Sequence, residues 1–188
     1  KEVLGAKGTA RFALYGALCA LIVAALCLLP DSSRLQWPLS SPRLSLNLPV
    51  LCVISFLTVW AEEAFTKSVL LRGLLKRWGH PWAELIACAA SLLMGGLGAD
   101  WVGTANTLLL AGLCCLLAER HGLGAAVLFR WSWSAVNTFM LGFGGGDASV
   151  YRMYGLSETL LTGGDASAAS GLWTTLLFAG GIACMTIG

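Results

Sequence analysis

Apolar residues along this chain gather into six runs, separated by short polar or glycine-rich breaks. The first covers residues 12–29 and closes at Pro30. Residues 31–47 hold Pro38, Pro42 and several serines, a composition that reads as a loop. The second run starts near Leu48 and continues to about Gly79, too long for one simple span at about 1.5 Å per residue. Its second half carries Glu62, Glu63, Lys67, Arg72, Lys76 and Arg77, so it reads as one span that extends into the interface, with room for a break. His80-Pro81 ends it, and a third run follows over 82–97. The fourth covers 104–118 and is closed by Glu119-Arg120-His121-Gly122; the fifth covers 124–143. Residues 144–170 are glycine-rich without a long apolar run, and a sixth run begins at Gly171. No repeat of fixed period and no low-complexity tract appears.

Composition sharpens this picture. Hydrophobic residues make up 57% of the 188 and charged residues only 12%, with mean hydropathy +0.76. A soluble domain carries about 25% charge, so a water-soluble domain is excluded, as is disorder, which needs low hydrophobicity and high net charge. No basic patch of the size nucleic-acid binding needs is present. At about 20 residues per span, the predicted fold is all-α: a single domain over 1–188, a polytopic membrane bundle of about six transmembrane helices.

Basic residues in short loops set the expected orientation. Lys1, Lys7 and Arg11 precede the first run, Arg72, Lys76 and Arg77 close the second, and Arg120 follows the fourth. These places alternate consistently and are assigned to the cytoplasm, together with both termini. Arg34 and Arg43, Asp100, and then Asp147, Arg152, Glu158 and Asp165 fall opposite. The first ten residues form no signal peptide. A start at Lys1 and a stop at Gly188 inside an apolar stretch read as truncation at both ends. The seven cysteines lie in apolar runs without CxxC or Cys/His spacing. They read as small packing residues, and neither a metal nor a cofactor is expected.

Ionisable residues within spans are costly and are candidates for function. Glu62 and Glu63 sit about fifteen residues into the second run. Lys67 follows Glu63 by four, the favourable order for a pair on one helix face; Glu62 points about 100° away and needs another partner. Arg130 lies in the fifth run, with Ser134 and Asn137 after it at helical spacing, one polar stripe. Such a stripe faces a bundle interior or a cavity. Helices two and five are therefore expected to touch, with a glutamate in hydrogen-bond reach of Arg130; the alternative is that Arg130 snorkels to the interface. Glu84 reads as interfacial, and His80 and His121 as surface residues in loops. The tryptophans read mostly as interface anchors or packing.

Ala61-Glu62-Glu63-Ala64-Phe65-Thr66-Lys67-Ser68, then an apolar run and Lys76-Arg77-Trp78-Gly79, resembles the first motif of the CPBP family. These are CAAX-protease-like, bacteriocin-processing intramembrane proteins, whose motif is Glu-Glu, two apolar residues, an aromatic, Arg, Gly. Ser91-Leu92-Leu93-Met94-Gly95-Gly96-Leu97-Gly98 resembles their second motif, Phe with a His four residues later. Phe129-Arg130-Trp131-Ser132-Trp133-Ser134, then Phe139 and Gly142, resembles their third, His with an Asn four residues later. Leu161-Thr162-Gly163-Gly164-Asp165 resembles a Thr-Gly-Gly turn before the last helix. The resemblance covers about residues 50–185.

It implies a membrane-embedded fold in a bacterial cytoplasmic membrane and glutamic endopeptidase chemistry without metal: a Glu as general base on water, with His and Asn holding that water and the oxyanion. Position by position, the glutamates match at Glu62 and Glu63. The motif Arg is Lys67 and its Gly is Ser68; the second-motif His falls on Gly98. The third-motif His falls on Arg130 and its Asn on Ser134. A register shifted by three brings Asn137 into the Asn place but puts Trp133 in place of His. Gly98 has no side chain to hold a water, and Arg130 cannot exchange a proton near neutral pH. A cation beside a glutamate weakens it as a base.

The favoured expectation is thus a pseudoprotease that acts through contacts, as an assembly, immunity or regulatory partner of another membrane protein. Gly95-Gly96 and Gly180-Gly181 suit close helix contacts. An active glutamic protease using Glu62 or Glu63, with Asn137 and Ser134 as donors, is the alternative. A small transporter or channel component is a third, supported by no inverted repeat. The expected partners are membrane lipids and another membrane protein. A polar cavity reaching water would favour catalysis; dry glutamate–cation pairing would favour a structural core.

Overall fold

The computed structural model describes residues 6–28, 46–96, 100–143, 149–151, 160–163 and 170–187. Among the described residues no strand occurs, and six helical rods follow one another. The first is α1, Ala6–Leu28. The second joins α2 (Leu48–Glu63), a π-helical segment (Ala64–Leu71) and α3 (Arg72–Trp78) into one rod. Then come α4 (His80–Gly95) and α5 (Trp101–His121). The fifth rod is α6 (Leu123–Ala135) with a second π-helical segment (Val136–Met140), and the sixth is α7 (Leu172–Ile187). The all-α bundle of six helices is as expected from the six apolar runs.

Local sequence accounts for the ends of these rods. A proline lies in the first turn of α2 and of α4, where its missing N–H removes no helical bond. Pro81 therefore opens α4 where the sequence reading had it only end the second run. Gly79 makes the break between the rods with a φ of 78°, a region that glycine enters without steric penalty. Asp100 caps α5, its Oδ1 accepting from the Gly103 N–H at 2.6 Å. The break allowed for in the second run is the π-helical segment. There the Thr66 hydroxyl donates to the Glu62 carbonyl at 2.8 Å, giving one loosened carbonyl a partner.

Among the described residues, three helices are long and apolar enough to cross a membrane: Gly8–Cys27, Leu48–Trp78 and Trp101–His121. The 31-residue second rod is about 46 Å long at 1.5 Å per residue, against a hydrocarbon core of about 30 Å. At 16 residues each, α4 and α7 are shorter than that core.

The main core lies where α1 meets α6, α5 and α7. Phe12, Ala20, Val23 and Cys27 of α1 pack with Ala125, Ala126, Phe129 and Trp133 of α6, and with Leu113, Cys114 and Phe178. A smaller core joins Leu71, Ala83, Ala87 and Cys115. Asn106 ties α5 to the start of α7, donating to the Gly171 carbonyl at 3.0 Å and accepting from the Thr175 hydroxyl at 2.6 Å. Trp60, Trp78, Trp82 and Trp101 are exposed, and Trp133 is packed in the core against Phe178 with ring centroids 4.9 Å apart. All seven cysteines are free.

Two contacts fix which rod ends lie together. His121, the last residue of α5, stacks on Phe12 of α1 at 5.0 Å, and His80 of α4 lies 3.8 Å from Glu119 of α5. The start of α1, the α3–α4 junction and the end of α5 thus share one end of the bundle. Arg11, Lys76, Arg77 and Arg120 are at that end, the grouping that the basic residues predicted. His80 and His121 are helix-terminal residues, a correction to their placement in loops. Lys1, Arg34, Arg43, Asp147, Arg152, Glu158 and Asp165 lie outside the described residues.

Candidate functional site

Glu63 is the sixteenth of the 31 residues of Leu48–Trp78, the midpoint of the rod. Its side chain is fully buried, and so is that of Lys67, 2% exposed, one turn on. The wider turn of the π-helical segment keeps Glu63, Thr66, Lys67 and Leu71 all on the buried side. Backbone of this kind is frequent at functional positions.

Arg130 answers both glutamates. Its two terminal nitrogens donate separately, Nη1 to Glu63 Oε1 and Nη2 to Glu62 Oε2, each at 2.6 Å. The guanidinium fork thus bridges two carboxylates that an α-helix turns about 100° apart. The expected meeting of helices two and five through a glutamate and Arg130 is what the structure has, and snorkelling of Arg130 is set aside. Gly95 of α4 faces the guanidinium: a Cβ there would sit 3.1 Å from Nη2. A larger residue at that position would press on the fork.

Lys67 completes the group in a way the sequence did not reveal. Its Nζ stands 3.9 Å from Glu63 Oε2, beyond hydrogen-bond length, and donates instead to Ser91 Oγ at 2.9 Å. Ser91 in turn donates to the Ala87 carbonyl at 2.9 Å. The only signal for Ser91 was a hydroxyl residue within an apolar run. Two carboxylates and two cations leave the group with no net charge, the condition for holding ions at this depth.

Not all of it is dry. The Glu62 and Arg130 side chains are 15% and 14% exposed and open on a cavity of about 400 Å³. Ser55, Thr58, Ser134, Asn137 and Thr138 also line this space. The polar stripe of Arg130, Ser134 and Asn137 therefore faces a cavity as its spacing predicted. Asn137 donates to the Trp133 carbonyl at 2.9 Å, while its buried Oδ1 accepts no hydrogen bond from the described residues. Gly98 lies outside the described residues.

No family model, no curated protein and no solved structure matches the chain. Fold and site together define a helical protein with helices long and apolar enough to cross a membrane and, near the midpoint of the longest, two glutamates bridged by an arginine.

A separate polar group lies at the end of the bundle where α4 starts and α5 ends. His80, Glu84 and Glu119 bring one donor atom each within 4.8 Å of the others. Chain spacing gave no hint of this trio, because Glu119 is remote from His80 in sequence.

Proposed function

We propose that the chain is an integral membrane protein with a CPBP-like fold of six spans, in which the paired-glutamate centre is a structural charge cluster and not a hydrolytic one. The observation that carries this is the double 2.6 Å bridge from Arg130 to Glu62 and Glu63. Both carboxylates spend an oxygen on a permanent cation. Those oxygens are no longer open to a water, and the Arg130 guanidinium keeps its protons near neutral pH and cannot stand in for the motif histidine. On this reading the protein acts through contacts with another membrane protein, its N-terminal end in the cytoplasm of a bacterial cell. Gly180 on α7 supports a contact role: a Cβ there would meet nothing within 4 Å, which leaves a small-residue position open for a neighbouring helix.

A second reading is a glutamic endopeptidase. The cavity of about 400 Å³ favours it, since Glu62, Ser134 and Asn137 share that space. Glu62 would then take a proton from a water held there, with Asn137 as a polar neighbour.

Complementation separates the two. In a strain lacking the native copy, Glu62→Gln and Glu63→Gln are introduced singly, and both function and folded protein in membranes are measured. The structural reading expects function to track protein level. Normal levels with complete loss of function would overturn it and favour hydrolysis.

A further inference from the structure

We propose that His80, Glu84 and Glu119 form a divalent-cation site that ties the start of α4 to the end of α5, independent of the glutamate–arginine centre. His80 Nδ1 lies 3.5 Å from Glu84 Oε1 and 3.8 Å from Glu119 Oε1. A tetrahedral ion with bonds of about 2.0–2.1 Å sets its donors roughly 3.3–3.4 Å apart. Both separations come within about half an ångström of that value, so small side-chain rotations would close the set around an ion.

The frame beneath the donors is firm. His80 and Glu84 sit one turn apart on α4, whose Ala83 and Ala87 are fully buried against Leu71 and Cys115 in the smaller core. Glu119 stands on the last turn of α5, the helix that carries Cys115. The donors therefore come from two helices already locked together, and binding requires no movement of either.

Donor chemistry indicates the class of ion. One imidazole and two carboxylates are borderline-to-hard ligands, suited to zinc, cobalt or manganese. Two carboxylates balance a divalent charge. Three protein donors leave a fourth position open. The His80 side chain is 70% exposed, so that position is accessible, and it adjoins a cavity of about 540 Å³ lined by His80 and Glu119 together with Arg72 and Arg120. Water or an anionic group attracted by those arginines would occupy the fourth place.

The test uses the full chain in lipid nanodiscs with zinc or cobalt chloride alone. Zinc should raise the apparent melting temperature saturably, by about 5–10 °C once its free concentration is roughly a hundredfold above the dissociation constant. Cobalt should give visible d–d bands without a thiolate charge-transfer band, which excludes capture by the cysteines. His80→Gln and Glu84→Gln, both at exposed or half-exposed positions, should fold normally and lose the zinc shift and the cobalt bands. Glu119→Gln should do the same. Absence of a saturable shift up to millimolar zinc, an equal shift in His80→Gln, or a thiolate band would each overturn the proposal.

Discussion

The two faces of α6 solve opposite problems. Toward α1 the helix presents small and apolar side chains, and the backbones approach so closely that a Cβ on Gly16 would overlap the Phe129 carbonyl and the Ser132 hydroxyl. Toward α2 it presents Arg130, and the two helices are joined by charge-assisted hydrogen bonds at 2.6 Å. The first face holds through shape alone and tolerates no added volume. The second holds through charge balance, and there a change of one unit of charge matters more than a change of volume. Residues one position apart, Phe129 and Arg130, therefore belong to different kinds of contact.

The contrast predicts a graded set of losses. Arg130→Met should be the most damaging, because it leaves the buried Glu63 and its neighbour Glu62 against Lys67 alone. Breaking a buried pair costs about 3–5 kcal/mol, and folded protein in membranes should fall sharply. Ser91→Ala removes the hydroxyl that accepts from Lys67 Nζ, its one hydrogen-bond acceptor among the described residues. A hydrogen bond to a charged group contributes about 1.5–3 kcal/mol, which should appear as a lowered melting temperature in nanodiscs. Gly16→Ala should cost about 1–3 kcal/mol by overpacking the α1–α6 contact. Gly112→Ala serves as its control, since a Cβ at Gly112 meets nothing closer than 3.8 Å. Should Gly16→Ala prove neutral, the claim that shape governs this face fails. Ser134→Ala, on the cavity side of α6, should change stability by less than about 0.5 kcal/mol. A loss of function in that variant at full protein level would sharpen the case for hydrolysis in the cavity.

Much of the fold was legible in the sequence, and the reason differs by element. The six rods follow from apolar runs cut by Pro30, Gly79, the short turn over 98–103, Gly122 and the glycine-rich segment, because solvent or lipid exposure is written locally along the chain. The bridge from Arg130 to the glutamates was legible because charges inside a bundle must find each other, and few were available. Ser91 was not, because its usefulness to Lys67 depends on how α4 is rotated against the second rod. Nor was Asn106, whose partners at Gly171 and Thr175 come from the far end of the chain. The same holds for Glu119 beside His80. Pattern along a sequence reports which face is apolar; it does not report which polar atoms two helix ends bring together.

The central claim is that charge balance, not hydrolysis, governs the glutamate centre, and a compensation experiment tests it most directly. Arg130→Met removes one positive charge, and adding Glu62→Gln removes one negative charge. Glu63 and Lys67 then remain as a neutral pair 3.9 Å apart. The measurement is the amount of folded protein in membranes for the single and double variants. The double variant should recover much of what Arg130→Met loses, and more than a triple variant that also carries Glu63→Gln and strands Lys67. A double variant no more abundant than Arg130→Met alone would contradict the account.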